Sequence, residues 1–378
     1  MKVLLAGLTA RALAESAVAA GCDVATADYF GDLDTKRLGP NVSLRERGST
    51  YSAPALARLA RDIACDVVAY TGGFENHPEA VEELARGREL LGNARETLRR
   101  VRDPATLFPL LAERGFAVPR TIVVRAGDAD QLPMAGRWLV KPLASGGGHG
   151  IRQWRGRRPS ARHVLQEYVR GTPASAAFVA DGRRAVLLGW SEQLHAPARF
   201  RYGGNLVPLD ASPDALGEVD RLVQALAGCF GLVGLNGVDF VLRDGCPVIV
   251  EVNPRYSASM ELVERATGAA LFALHVAACR SALPDARIGE PALRGVVTHG
   301  KAIVYAPRAL AVTSSLAWMD RGVRDVPHPG DVIDKGRPIC TVFGAAASRS
   351  ECLAALRAAE EDIVASCAPT DTARSGDA

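Results

Sequence analysis

Over its first hundred residues the chain alternates short apolar runs with stretches of helical spacing. Val3 to Ala6 leads into a helix that runs to Ala20, Val24 to Ala27 follows, and Asp66 to Tyr70 repeats the pattern. This is the βαβ arrangement of a parallel sheet covered by helices, a Rossmann-like layer. Near residue 101 the pattern changes to strands punctuated by proline and glycine with fewer helices, which predicts a second, α+β unit. It opens with a helix over Asp103 to Arg114, closed by Gly115 and followed by Pro119. Strands near Gly300 to Tyr305 and Pro338 to Phe343, then a helix from Ser350 onward, predict a small C-terminal domain. The expected division is 1–100, 101–289 and 290–367, with a disordered tail of small and polar residues over 368–378.

Composition removes several functions from this picture. The 45 basic and 42 acidic side chains of the 378 residues nearly cancel, so the electrostatic footprint of a nucleic-acid or membrane-surface binder is missing and a small-molecule partner is expected. The local run Arg152, Arg155, Arg157, Arg158 and Arg162 reads as a solvated turn rather than a phosphate-contact surface. Eight scattered cysteines without a C-x-x-C pair suggest free thiols in a reducing cytoplasm. The N-terminus imitates a signal peptide, but Arg11 and Glu15 interrupt its apolar run. No other stretch approaches the roughly 20 uninterrupted apolar residues of a membrane-spanning helix. Gly7 after the first strand and Asp28 at the end of the second give a weak dinucleotide signal; the full glycine fingerprint is absent, so a structural layer is the preferred reading.

Two constellations carry chemistry. In Trp138-Leu-Val-Lys141-Pro-Leu-Ala-Ser-Gly146-Gly147-Gly148-His149-Gly150-Ile151 a strand delivers a lysine, and the glycine loop after it can lay backbone N–H groups on phosphate oxygens before a second strand begins. The Gly-Lys-Ser/Thr ending and following helix of a P-loop are missing, which disfavours Walker-type NTPases. Lys141 stands out because the chain has only five lysines and otherwise uses arginine. The second constellation, Gly237 to Arg255, reads as two strands around an Asp-Gly turn. With a three-residue loop Asp239 shares a face with Glu251, and the period of two adds Asn253. Two carboxylates so placed repel unless a cation lies between them, and hard oxygen ligands suit Mg²⁺, with Mn²⁺ as the alternative ion. A tight two-residue turn without a bulge would put the carboxylates on opposite faces. Between the constellations, Val164-Leu-Gln-Glu167-Tyr-Val169 is a strand that suits either the edge of an adenine ring or plain core.

The order of lysine strand, glycine hairpin, Gln-Glu-Tyr-Val strand, then Asp239 and Glu251-Val-Asn253-Pro-Arg255 resembles the ATP-grasp superfamily, especially the biotin-carboxylase-related branch of predicted carboligases. The resemblance implies an ATP-grasp domain over 101–289 with a glycine-rich lid subdomain over about 120–168, a preceding Rossmann-like layer and a small C-terminal domain. By matching positions it implies that Lys141 contacts the ATP phosphates and that Gly146, Gly147, Gly148, His149 and Gly150 form the lid. Glu167 and Val169 meet adenine through their backbones. Asp239, Glu251 and Asn253 hold Mg²⁺, and Arg255 neutralises charge on the transferring phosphoryl group. Two departures from the family pattern are visible: the lysine many relatives carry before the lid is absent near Arg102-Asp103-Pro104, and Gly171 to Ser175 lacks the acid that often holds the ribose.

The implied function is an ADP-forming carboxylate–amine ligase acting on small molecules, with a homodimer as one assembly. A bicarbonate-dependent carboxylase and a nucleotide-binding regulator without turnover are the alternatives. Glu192, His195, Arg199, Arg201 and Tyr202 form a polar segment that suits either a second substrate carboxylate or an exposed loop.

Overall fold

The computed structural model describes residues 1–123, 136–196, 200–284 and 297–370. The first sheet has the order β3-β2-β1-β4-β5, with β1 Lys2–Ala6, β2 Asp23–Asp28, β3 Asn41–Ser43, β4 Val67–Tyr70 and β5 Glu89–Leu90, and all its pairings are parallel. Its central strands are apolar because both faces are covered by helices. Strand order reverses between β1 and β4, so the crevice at their carboxyl ends is the natural ligand position of such a sheet. The loops of that crevice touch: a Cβ on Gly7 would lie 1.8 Å from the Thr71 hydroxyl oxygen. Asp28 is fully buried and accepts the Gly31 N–H at 2.9 Å. It caps its own turn and presents nothing to a ribose.

Next comes the helix Pro104–Glu113, whose N-terminus is capped by the Asp103 side chain through the Ala105 N–H, as its sequence predicts. A four-stranded sheet follows, ordered β6-β9-β7-β8, from β6 Thr121–Val123, β7 Trp138–Pro142, β8 Arg152–Gln153 and β9 His163–Glu167. The expected lid subdomain therefore includes a described sheet, while residues 124–135 lie outside the described part.

The largest sheet has seven strands ordered β14-β13-β10-β11-β12-β15-β18: β10 Thr172–Asp181, β11 Ala185–His195, β12 Tyr202–Val207, β13 Val233–Arg243, β14 Cys246–Asn253, β15 Thr298–Tyr305 and β18 Pro338–Ala346. One face packs Phe178, Phe240 and Ile249 on the helix Pro213–Phe230; the other packs Val179, Leu188 and Leu235 on the helices Leu271–Cys279 and Arg11–Ala19. The second core thus fuses the first sheet to the largest one. The strands read as a separate C-terminal unit, β15 and β18, extend this same sheet through antiparallel pairing of β15 with β12. A small sheet of β16 Leu310–Ala311, β17 Val332–Ile333 and β19 Ala368–Pro369 corrects the expected tail at its start. Ala368 and Pro369 pair with β16, and 371–378 lie outside the described residues.

Arg11, which argued against a signal peptide, is only 1% exposed. Its guanidinium meets Glu261, at 3.1 Å for one of two contacts, and Asp325 at 3.0 Å, and Glu261 also takes Lys301 at 2.8 Å. Four chain segments meet in this network. Burial opposes ionising Glu261, but Arg11 and Lys301 outweigh it and hold its carboxyl well below the usual range. Because the folded value is depressed, that stabilisation is complete above the ordinary value of 4.5 and is lost as pH falls below it. Glu261→Gln removes the carboxylate that pairs with buried Lys301 and leaves Arg11 with Asp325 and Glu15, and it is expected to cost roughly 3 kcal/mol in a denaturant titration at neutral pH. The variant should also lose less stability than the parent between neutral and acidic pH; equal losses would contradict the assignment.

Candidate active site

The hairpin β13–β14 turns through Asp244 and Gly245, with φ of 51° and 80°. Positive φ at both central residues is the signature of a tight two-residue turn that follows the twist of its strands. The expected three-residue loop is therefore corrected: Arg243 pairs with Cys246. A plain two-residue hairpin would set Asp239 opposite Val250. The register instead shifts between Asp239 and Phe240, where Val250 bulges out, so that Asp239 faces Glu251 and Gly237 faces Asn253. The bulge does what the longer loop was expected to do. It also brings the Val250 carbonyl to 3.4 Å from Lys141 Nζ.

Around the carboxylate pair the side chains interlock. Asp239 accepts Gln193 Nε2 at 2.8 Å and Asn253 Nδ2 at 3.0 Å. Glu251 accepts Arg102 at 2.6 Å, and Lys141 donates to Gln166 Oε1 at 2.9 Å. Arg255 donates to Asn253 Oδ1 at 3.2 Å and to Glu75 at 2.8 Å. Burial and the neighbouring Glu251 charge push the Asp239 carboxyl up to about 7, against the pull of Asn253, Arg255 and Lys141. Burial would raise Glu251 too, but Arg102 and Lys141 overcome it and hold the group below its usual range. The asymmetry follows from Arg102, which sits on Glu251 alone. Lys141 is held below the usual lysine value by burial and by Arg102, with Glu251 and Asp239 opposing.

A cleft beside this cluster is lined by Arg102, Lys141, Gly146, Gly148, Gln166 and Glu251, among others. Glu167 and Val169 lie outside its lining. The Glu167 N–H is donated to the Arg120 carbonyl at 2.9 Å, so that donor belongs to the sheet and is not offered to a purine; Val169 is buried just beyond the end of β9. A more open groove between Tyr305 and the helix Arg349–Ala365 contains none of these residues.

The glycine loop closes one side of the cleft and is tied down on both flanks. Tyr202 N–H donates to the Gly147 carbonyl at 3.1 Å, and His149 Nε2 lies 3.3 Å from Arg201. On the other flank Arg102 and Asn76 both donate to the Ser145 carbonyl at 3.3 Å. Gly147, Gly148 and Gly150 have φ of 59°, 74° and 74°, the left-handed region, and a Cβ on Gly148 would lie 1.7 Å from the Phe200 carbonyl oxygen. Arg201 and Tyr202, considered above for a substrate carboxylate, serve this docking instead: Arg201 also donates to the Gly336 carbonyl at 2.7 Å, and the Tyr202 hydroxyl donates to Asn205. Glu192 is bound by Arg349, His195 is exposed at the end of β11, and Arg199 lies outside the described residues.

Residues 102–259 match the ATP-grasp domain family. This stretch is an ATP-grasp domain. A protein of Methanocaldococcus jannaschii described as uncharacterised is 23% identical over 366 residues, 91% of this chain and 88% of its own length. The carbamoyl phosphate synthase large chain of Deinococcus deserti is 27% identical over 222 residues, 53% of this chain but 21% of that protein, so the chain spans about a fifth of that relative. Among solved structures, an L-amino acid ligase from Bacillus licheniformis superposes with a TM-score of 0.69 at 18% identity, covering 96% of this chain and 97% of that one. Biotin carboxylase from Campylobacter jejuni superposes with a TM-score of 0.75 at 13% identity, covering 96% and 94%. At these identities the structures establish a shared fold, with the parallel first sheet and the antiparallel ATP-grasp sheet in common.

Sequence reading missed Arg102, Gln166, Gln193, Glu75 and Asn76. In the sequence Arg102 reads only as an absent lysine, yet its guanidinium supplies a cation there and grips Glu251. The docking of the glycine loop yields a prediction. Gly148→Ala is expected to raise backbone hydrogen exchange over 145–151 while global stability changes by no more than about 0.5 kcal/mol. Unchanged exchange would show that the close contact with Phe200 does not hold the loop.

Proposed function

We propose that the chain is an ATP-dependent ligase that phosphorylates a carboxylate and passes the acyl group to an amine, releasing ADP and phosphate. The observation that carries this reading is the Asp239–Glu251 pair, opposed across two strands and ringed by Arg102, Lys141 and Arg255. The donor set fits a hard divalent ion. Asp239, Glu251 and the Asn253 amide offer oxygen ligands, and the Asp239 carboxyl held near 7 is relieved by a cation. Among the described residues no group of three His, Cys, Asp or Glu could hold a metal by itself. A site of this kind suits Mg²⁺ bound together with nucleotide phosphates, and such an ion would supply charge neutralisation for phosphoryl transfer.

The chain's own residues then take the following parts. Lys141 and Arg102 bind phosphate oxygens, each giving up a contact it makes now, with Gln166 and Glu251 respectively. Arg255 stabilises the transferring phosphoryl group and the acyl phosphate that follows. Gly146 to Gly150 lay backbone N–H groups over the phosphates and keep water from the acyl phosphate. The backbones of Glu167, through its carbonyl, and Val169 border the adenine. The carboxylate oxygen attacks phosphorus with ADP leaving; the amine then attacks the acyl carbon with phosphate leaving. No covalent link to the protein is needed. The similarity in fold to an L-amino acid ligase supports an amine as the acceptor.

A screen of acid and amine pairs for release of ADP tests the activity, with ADP expected only when both partners are present. ADP formed at the same rate without either partner would contradict it. With the active pair, Glu251→Gln should lower kcat by about a hundredfold or more while the protein still folds, since it removes one charge of the metal pair and little volume. Lys141→Ala should raise the KM for ATP and lower kcat together, because the lysine meets phosphate before and during transfer. Parent-like kinetics in either variant would remove that residue from the site.

A further inference from the structure

The short turn after β4 reaches the site from a different sheet. Gly73 starts it at φ +103°, where a Cβ would lie 2.0 Å from the Tyr51 hydroxyl oxygen, and the fully buried Phe74 anchors it in the first layer. The next two residues each hold one of the site's arginines. Glu75 is 1% exposed; one of its oxygens accepts Arg255 Nε–H at 2.8 Å and the other accepts the Gly73 N–H at 2.5 Å. Asn76 accepts from Arg102 at 2.9 Å and donates to the Ser145 carbonyl of the glycine loop at 3.3 Å. Arg255 is fixed further by Asn253 Oδ1 at 3.2 Å and the Tyr256 carbonyl at 3.1 Å. With three donors occupied, the plane of its guanidinium is set. A Cβ on Gly72 would lie 3.7 Å from that guanidinium, so the glycine leaves this side of the arginine without a covering side chain.

We propose that Glu75 is a positioning residue for phosphoryl transfer: it fixes the plane of Arg255 and so makes the N-terminal layer part of the catalytic centre. This rests on the reading of Arg255 given above. A buried carboxylate is costly unless both of its oxygens are satisfied, and here both are, one by the arginine and one by its own turn. A glutamine in its place has one acceptor oxygen for two N–H donors and must give up one of them. Arg255, released from one of its three contacts, loses the fixed geometry on which transition-state stabilisation depends.

The test uses the full chain and calorimetric titration of MgADP alone and of MgADP with aluminium fluoride, which stands in for the transferring phosphoryl group. In the parent, aluminium fluoride should tighten ADP binding. Glu75→Gln should leave MgADP affinity unchanged and reduce that tightening by about tenfold, and Arg255→Ala should abolish it. Glu75→Asp keeps both acceptors but draws them back by one methylene; it should also lose part of the tightening and gives the same decision if the glutamine variant does not fold. Full tightening in the Glu75 variants overturns the proposal. So does a loss matched by an equal loss of MgADP affinity, which would mark a purely structural ion pair. Tightening that survives Arg255→Ala, or is absent in the parent, overturns the role of Arg255 itself and the proposal with it.

Discussion

Asp239 and Glu251 face each other on adjacent strands, and like charges so placed repel, more strongly when buried than in water. The surrounding structure answers that repulsion. Arg102 is bonded to Glu251, Lys141 and Arg255 lie close by, and Asp239 is held by two amide donors while its carboxyl is pushed up to about 7. The repulsion exists only because Val250 bulges. Were Val250 paired with Asp239 in a plain ladder, Glu251 would stand opposite Val238, on the face of the apolar core and away from Asp239. One irregular residue in a hairpin therefore creates the charge pair and also supplies a carbonyl to the lysine that attends it.

Three sheets are needed to hold this arrangement. The largest provides the acids, the four-stranded sheet brings Lys141 and the glycine loop over them, and the first sheet reaches in through Glu75 and Asn76. The buried network of Arg11, Glu261, Lys301 and Asp325 ties the first layer to the far strands of the large sheet. Buried ion pairs of this sort are weak as a source of stability but exact a large penalty when one partner is lost, so they fix how the layers meet. The position of Glu75 against Arg255 depends on that docking as much as on the local turn. No single helix among the described residues is long and apolar enough to cross a membrane.

The first layer was legible because parallel strands leave continuous apolar runs, and the helix after Asp103 because its cap and closing glycine are local signals. The facing of Asp239 and Glu251 was reached through the wrong turn. Asp244-Gly245 is a two-residue turn by its composition, and a bulge at Val250 has no signature in side-chain type. Arg102, Glu75 and Asn76 escaped notice because their roles come from contacts across 26 to 180 residues of chain, which no window along the sequence contains. The polar segment at Glu192 to Tyr202 left two readings open for a similar reason. Glu192 and Arg201 are matched by Arg349 and the Gly336 carbonyl, far along the chain.

Whether the opposed acids hold a divalent ion together with a nucleotide is decided by counting bound Mn²⁺ by electron paramagnetic resonance with and without ADP. Tight Mn²⁺ binding that requires ADP is expected in the parent chain and should disappear in Asp239→Asn, since one carboxylate alone cannot supply the charge. Equal Mn²⁺ binding in parent and variant, or binding indifferent to ADP, would contradict it.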